Sequence, residues 1–269
     1  MRFPVSVLLL ATLAAFACMD PASPRLPPND RDRSLVLFMV LDPDEVATLV
    51  PGGQGLWVTT AFVQDSLAPP DWEFHGVDAI LSSPGAASVQ GQPADRGCYG
   101  GDFPAAATCM RFPGPIRYGA TYSVTVSADS FPTATASANV PGDFKILDHE
   151  ANGSPPGTAG LSVSWTPSAG AYRYLVTLRA ESTPECYPYC WNGWSAIAES
   201  TSFTGSVPAA ALSKGLGPWL LDVYALDRHL YEYLSSGTGG PLFSVAPTSN
   251  VQNGYGVVGA WVRRSVPVP

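Results

Sequence analysis

Charge is scarce in this chain. Its 14 lysines and arginines and 22 aspartates and glutamates make up 13% of 269 residues, about half the share usual in soluble domains. No basic run occurs, and a net charge of −8 with a pI near 4.7 excludes nucleic acid as a partner, since its phosphates require a cationic face. Histidine is nearly absent: His75, His149 and His229 lie far apart. His149 and Glu150 begin a zinc-protease pattern, but no second histidine follows at the helical spacing that pattern needs. No serine sits in a glycine-flanked nucleophile elbow. The chain therefore reads as a non-enzyme with no cofactor and no metal.

What is present begins with an apolar run. Arg2 supplies a basic start, Val5 to Ala17 is apolar or small, and Ala15, Phe16 and Ala17 lead into Cys18. A charged start, an apolar segment of about 7 to 15 residues and small residues at the cut define a secretory signal. A thiol directly after the cut makes residues 1–17 a bacterial lipoprotein signal peptide and Cys18 the lipid-attachment site. The run stops at Cys18, Asp20 and Pro21, short of the roughly 20 residues a membrane-spanning helix needs; more than one acyl chain is required for stable anchoring, and a lipoprotein cysteine carries three. Met19, rather than an aspartate, follows the cysteine, which favours the outer membrane, on its periplasmic or cell-surface face. Residues 18–33 hold Pro21, Pro24, Pro27 and Pro28 among charges; such a tether extends about 3.1 Å per residue and reaches roughly 40 to 50 Å.

The remaining cysteines, Cys98, Cys109, Cys186 and Cys190, are an even set, as disulfides in an oxidising compartment demand. Three connectivities exist; pairing within each predicted domain, Cys98 with Cys109 and Cys186 with Cys190, closes short loops.

Twenty-seven prolines and 26 glycines spread along the chain punctuate short extended segments, as in an all-β protein. We expect two immunoglobulin/fibronectin III-like β-sandwich domains in tandem, at 34–141 and 142–269, with one short helix in the second. In the first, strands are predicted at Leu35–Leu41, apolar on both faces, and at Gly55–Gln64, Val77–Ser82 and Thr108–Phe112. The residues Tyr122, Val124 and Val126 alternate with Thr121, Ser123 and Thr125, and Thr133–Val140 reads as a polar edge strand. Gly91–Phe103 reads as a loop. In the second domain Leu161, Val163 and Trp165 alternate with serines, Tyr172, Tyr174, Val176 and Leu178 alternate with Arg173, Thr177 and Arg179, and Trp219–Leu226 forms another strand. Asp227 caps the predicted helix RHLYEYL. The string SWTPSAGAYRYLVTL resembles the second and third strands of fibronectin type III domains, with Trp165 in the place of their core tryptophan.

Three further runs, GATYSVTVSADSFPTATASANVPG, DVYALDRHLYEYL and SNVQNGYGVVGAWVRRS, resemble the bacterial surface lipoproteins catalogued as domain of unknown function 4249, over nearly the whole chain after Cys18. The resemblance implies a lipid-anchored β protein found beside outer-membrane transport systems, with an outer-membrane transporter or a glycan as partner and the membrane held through the N-terminal lipid. It implies no site residues.

Other patterns carry less. Gly254, Gly256 and Gly259 spell GxGxxG, but no helix and later acid follow as a dinucleotide site requires; a turn and close backbone packing beside Trp261 fit better. Asp42, Asp44 and Glu45 offer oxygens to calcium, or simply end a strand in water. Tyr187, Tyr189, Trp191 and Trp194 surround the Cys186–Cys190 loop; rigid aromatic faces there form a candidate binding patch, or they cap the sandwich. The alternative function is a glycan- or peptide-acting hydrolase whose Asp95, Asp102 and Glu185 come together from loops.

Overall fold

The computed structural model of the chain describes residues 34–44, 54–60, 76–94, 108–129, 131–152, 159–180, 193–207, 219–236 and 248–268. Local patterning accounts for most of its strands. In β7 (Thr121–Ser127), Tyr122, Val124 and Val126 are buried while Thr121 and Ser123 are exposed, the period of two that a strand with one covered face requires. Before it come β1 (Leu35–Leu41), β2 (Gln54–Thr60), β3 (Asp78–Ser82), β4 (Val89–Gln90), β5 (Gln92–Pro93) and β6 (Thr108–Phe112), and after it β8 (Ala134–Asn139). Among the described residues the second half contains β9 (Ile146–Asn152), β10 (Ala159–Trp165), β11 (Arg173–Ala180), β12 (Gly193–Ala198), β13 (Ser202–Val207), β14 (Trp219–Leu226), the helix α1 (Arg228–Ser236) and the long β15 (Gly254–Val268).

These strands make an all-β protein of two immunoglobulin/fibronectin III-like sandwiches. In the second, β13-β10-β9 forms one sheet and β12-β11-β14-β15 the other, so β10 and β11, joined by a short turn, lie in opposite sheets as they do in a fibronectin type III sandwich. Trp165, 2% exposed, fills the space between them; its ring lies 5.1 Å from that of Tyr174, which also meets Phe144 at 6.1 Å. The Tyr174 hydroxyl accepts a hydrogen bond from the Ser168 amide (2.9 Å). The first sandwich repeats the device, with the Tyr122 hydroxyl accepting from the Arg117 amide (3.0 Å). In each case a core ring also ties down the backbone that leads into its own strand.

In the first sandwich β4-β3-β7-β8 faces β1-β2-β6-β5. Gln92 and Pro93, expected within a loop, instead pair with Arg111 and Met110 of β6; two residues are too few to show a period. Proline suits that edge because it leaves one fewer N–H open to another chain. Tyr172, expected to face inward with Tyr174, precedes β11 and is exposed.

The two sandwiches are not simply consecutive. Residues 254–260 of β15 pair in parallel with β1, and residues 261–268 pair antiparallel with β14. The result is one eight-stranded sheet, β12-β11-β14-β15-β1-β2-β6-β5, running through both sandwiches. β1 therefore has strands on both sides, and both of its faces are covered. Leu35, Leu37, Met39 and Leu41 enter the sandwich core, while Phe38 and Val40 join Leu175, Tyr224, Leu226, Val257 and Trp261 beneath Leu230 of α1. That outer cluster explains the apolar character of β1 on both sides. Each such side chain contributes about 1.5 to 3 kcal/mol when fully buried. Replacing Trp165 with alanine is expected to lower unfolding stability by about 3 to 5 kcal/mol, read as a reduced urea midpoint at unchanged slope.

Candidate functional site at the shared strand

The densest polar network among the described residues lies along β15 and coincides with the run SNVQNGYGVVGAWVRRS, residues 249–265. Its chemistry follows from geometry. Over residues 254–260, one edge of β15 is taken by β1, and the opposite edge has no β14 residues to pair with. Backbone groups buried there without partners are costly, and side chains supply the partners. The amide of Asn250, chemically a peptide group, accepts from the Val258 N–H (3.0 Å) and donates to the Val258 carbonyl (2.8 Å), and donates also to Ser137 O of β8 (2.8 Å). The Asp227 N–H donates to Ala260 O (2.9 Å). Gln252 and Thr135 exchange two backbone hydrogen bonds, and Asn253 Nδ2 donates to Thr133 O (3.1 Å). Asn253 itself has φ of 56°, a left-handed conformation that asparagine tolerates better than most residues.

The three glycines are required by close approach. A Cβ at Gly254 would lie 2.7 Å from Leu35 O, and one at Gly259 would lie 2.6 Å from Leu230 Cβ of α1. Gly256 has φ of +104°, and a side chain there would overlap the Leu37 carbonyl. All three lie inside a strand, so the spacing serves packing rather than a phosphate-binding turn.

At the crossing from one sandwich to the other, Trp261 Nε1 donates to Asp42 Oδ2 (2.8 Å), whose Oδ1 accepts from the Asp44 amide (2.9 Å). Burial pushes the Asp42 carboxyl above its ordinary value, opposed by those two hydrogen bonds. Arg264 then gathers both halves of the chain. It binds Asp44 (2.6 Å) and Asp143, donates to Phe144 O (3.1 Å), and reaches the Tyr118 hydroxyl (3.1 Å), which in turn donates to Asp44. Partial burial works against its charge, yet the bonds to Tyr118, Asp44 and Asp143 hold its pKa above that of an ordinary arginine. A rigid planar fork suits such simultaneous contacts in a way that a lysine does not. Asp42 and Asp44, candidates for calcium, are thus engaged by Trp261 and Arg264; Glu45 lies outside the described residues. Among the described residues no three His, Cys, Asp or Glu side chains form a metal-sized group.

Neighbouring clusters are likewise internally balanced. Asp222, fully buried, accepts from Arg179 Nε (2.7 Å) and from the Ser265 hydroxyl. Tyr172 and Tyr231 meet in a tilted contact at 5.4 Å beside Arg173 and Arg228, whose carboxylate partners are Glu199 and Glu232. His149 Nε2 donates to Pro267 O (3.2 Å), joining β9 to β15.

Of the aromatic patch, Trp194 is described: it lies on β12, half-buried, with its ring 5.2 Å from Phe203 of β13. Tyr187, Tyr189, Trp191, Cys186 and Cys190 lie outside the described residues, as do Cys18, Cys98, Asp95, Asp102 and Glu185. Cys109 is buried on β6. Asn250 and Arg264 have no local sequence signature as joint residues, because the contacts that join them to the first half of the chain, to Ser137 and to Asp44, span over 100 residues.

No family model and no curated protein matches the chain. Among solved structures, the FN1–FN3 domains of chicken CNTN1 are similar at 8% identity with a TM-score of 0.22, over 87% of this chain; the chain spans 65% of the length of that one, just under two thirds. The type III topology assigned above comes from strand order in the second sandwich.

One titration follows from the helix cap. Asp227 Oδ1 accepts from the Leu230 amide (2.8 Å), whereas its buried Oδ2 has no partner among the described residues. Burial pushes the carboxyl up to about 6, against hydrogen bonds from Leu230 and Ala260 that act the other way. The native state then keeps a proton that an unfolded aspartate releases near 3.8. Stability contributed by this group is present in acid and falls as pH rises from about 4 to about 6, by roughly 3 kcal/mol at 1.36 kcal/mol per unit. In urea titrations across that window, Asp227→Asn, which keeps a capping oxygen, is expected to remove this component of the slope.

Proposed function

We propose that the chain is a non-catalytic envelope protein, moored to the outer membrane by lipid on Cys18 and serving as a binding or accessory module for an outer-membrane transport system. The observation that carries this reading is the order of segments in the sequence: Arg2, the apolar run to Ala17, Cys18, a proline-rich tether over 18–33, and then β1. A module tethered this way takes mechanical load at its first strand. β1 is well suited to that load, because β2 and β15 flank it and seven register pairs join it to β15. Force along the strand meets that parallel ladder in shear rather than opening one bond at a time.

A recognition role is further supported by where the polar groups are used. Asp44 and Asp143 pair with Arg264, Asp222 pairs with Arg179, and Asp42 accepts from Trp261, all within the fold. The candidate partner-binding surface is then the aromatic group Tyr187, Tyr189 and Trp191, next to Trp194 of β12, whose ring packs on Phe203. Pairing of Cys98 with Cys109, and of Cys186 with Cys190, would pin two of these segments. The resemblance to surface lipoproteins found beside transport systems agrees with this role, with a transporter or a glycan as the partner.

Cys18→Ser is the direct test. Expressed in a Gram-negative host and fractionated, the parent is expected in the outer membrane with incorporated labelled fatty acid, and the variant in the soluble fraction without label. Membrane association of the variant equal to that of the parent would contradict the mooring.

A further inference from the structure

We infer that β15 is a closing strap that makes the two sandwiches a single folding unit, so that the first sandwich closes only when residues 254–268 are in place. Tandem domains joined by a short linker ordinarily fold and unfold independently. Here the strand that completes the first sandwich follows every strand of the second in sequence. Trp261 and Asp42, which meet at the crossing, are 219 residues apart. Without β15, β1 loses one of its two neighbouring strands, and Val257, Val258 and Ala260, all fully buried, leave the clusters they complete. The segment that leads into β15 adds ties from Asn250 and Gln252 to β8 and from Asn253 to Thr133 just before it. β14 loses its partner on the side facing the first sandwich.

The two halves of the strap cannot come loose separately at small cost. No loop separates Ala260 from Trp261; the strand is continuous. Trp261 is held to Asp42, and Arg264 to Asp44, Asp143 and Phe144 O, at the point where one half passes into the other. Lifting residues 254–260 off β1 therefore pulls on the contacts that seat residues 261–268 on β14. Because loop closure between β1 and β15 must precede the contacts that reward it, this pairing also forms late.

Hydrogen exchange in the intact wild-type protein reads this coupling. In dilute urea, the most protected amides of β7 in the first sandwich and β11 in the second are expected to exchange through one opening reaction, with the same free energy and the same denaturant dependence. Gly256→Ala, whose new Cβ would overlap the Leu37 carbonyl, attacks only the β1 half of the strap. It is expected to raise exchange at β7 and β11 by the same factor. Distinct opening reactions for β7 and β11 in the wild type would overturn the inference. So would a variant in which β7 loses protection while β11 keeps its wild-type rate. The wild-type comparison decides the matter even where the variant does not fold.

Discussion

A β-strand has two hydrogen-bonding edges, and β15 gives one of them to β1 over its first half and the other to β14 over its second. This offset determines much of the remaining structure. Two half-edges of a long strand, buried over residues 257–262, are left without a neighbouring strand, and native proteins rarely leave buried backbone groups unpaired. Asn250 stands in for a peptide against Val258, the Asp227 N–H meets Ala260 O, and the ring of His149 meets Pro267 O. Glycines occur where β15 presses on the backbone of β1 and on α1. Arg264 neutralises the carboxylates that collect where β1 ends and β9 has not yet begun.

How much of this is legible in sequence depends on the range of the interaction. Strands whose burial repeats every two residues, such as β7 and β10, can be read directly, because one face packs and the other meets water. Trp165 and the Asp227 cap are legible for the same reason: each is fixed by its immediate neighbours. β1 is legible as a strand apolar on both faces, but the identity of its second cover is not, since α1 and β15 arrive some 200 residues later. Gly254, Gly256 and Gly259 illustrate the limit well. Their spacing matches a nucleotide-binding pattern, and close packing beside Trp261 is the better reading from context, yet the extended 15-residue strand that contains them is hidden by the very glycines it needs. The joint residues Asn250 and Arg264 carry no local periodicity, and only the folded chain brings their partners together.

The same geometry bears on the functional proposal. Surface charge is scarce, and many of the described ion pairs serve internal contacts, so a recognising surface has to come from loops or from neutral sheet faces. On the proposed function, a body whose two sandwiches share β15 presents surfaces of both halves together. That favours a partner that contacts both halves at once. Independent, flexibly linked modules would lose orientational entropy on engaging the same partner, and a fused sheet has already lost it on folding.

The central claim is that a shared strand turns two sandwiches into one cooperative body, and differential scanning calorimetry of the wild-type protein tests it most directly. A single transition with equal calorimetric and van't Hoff enthalpies is the predicted result. Two resolved transitions, or a calorimetric enthalpy near twice the van't Hoff value, would mean that each sandwich melts by itself and would contradict the account.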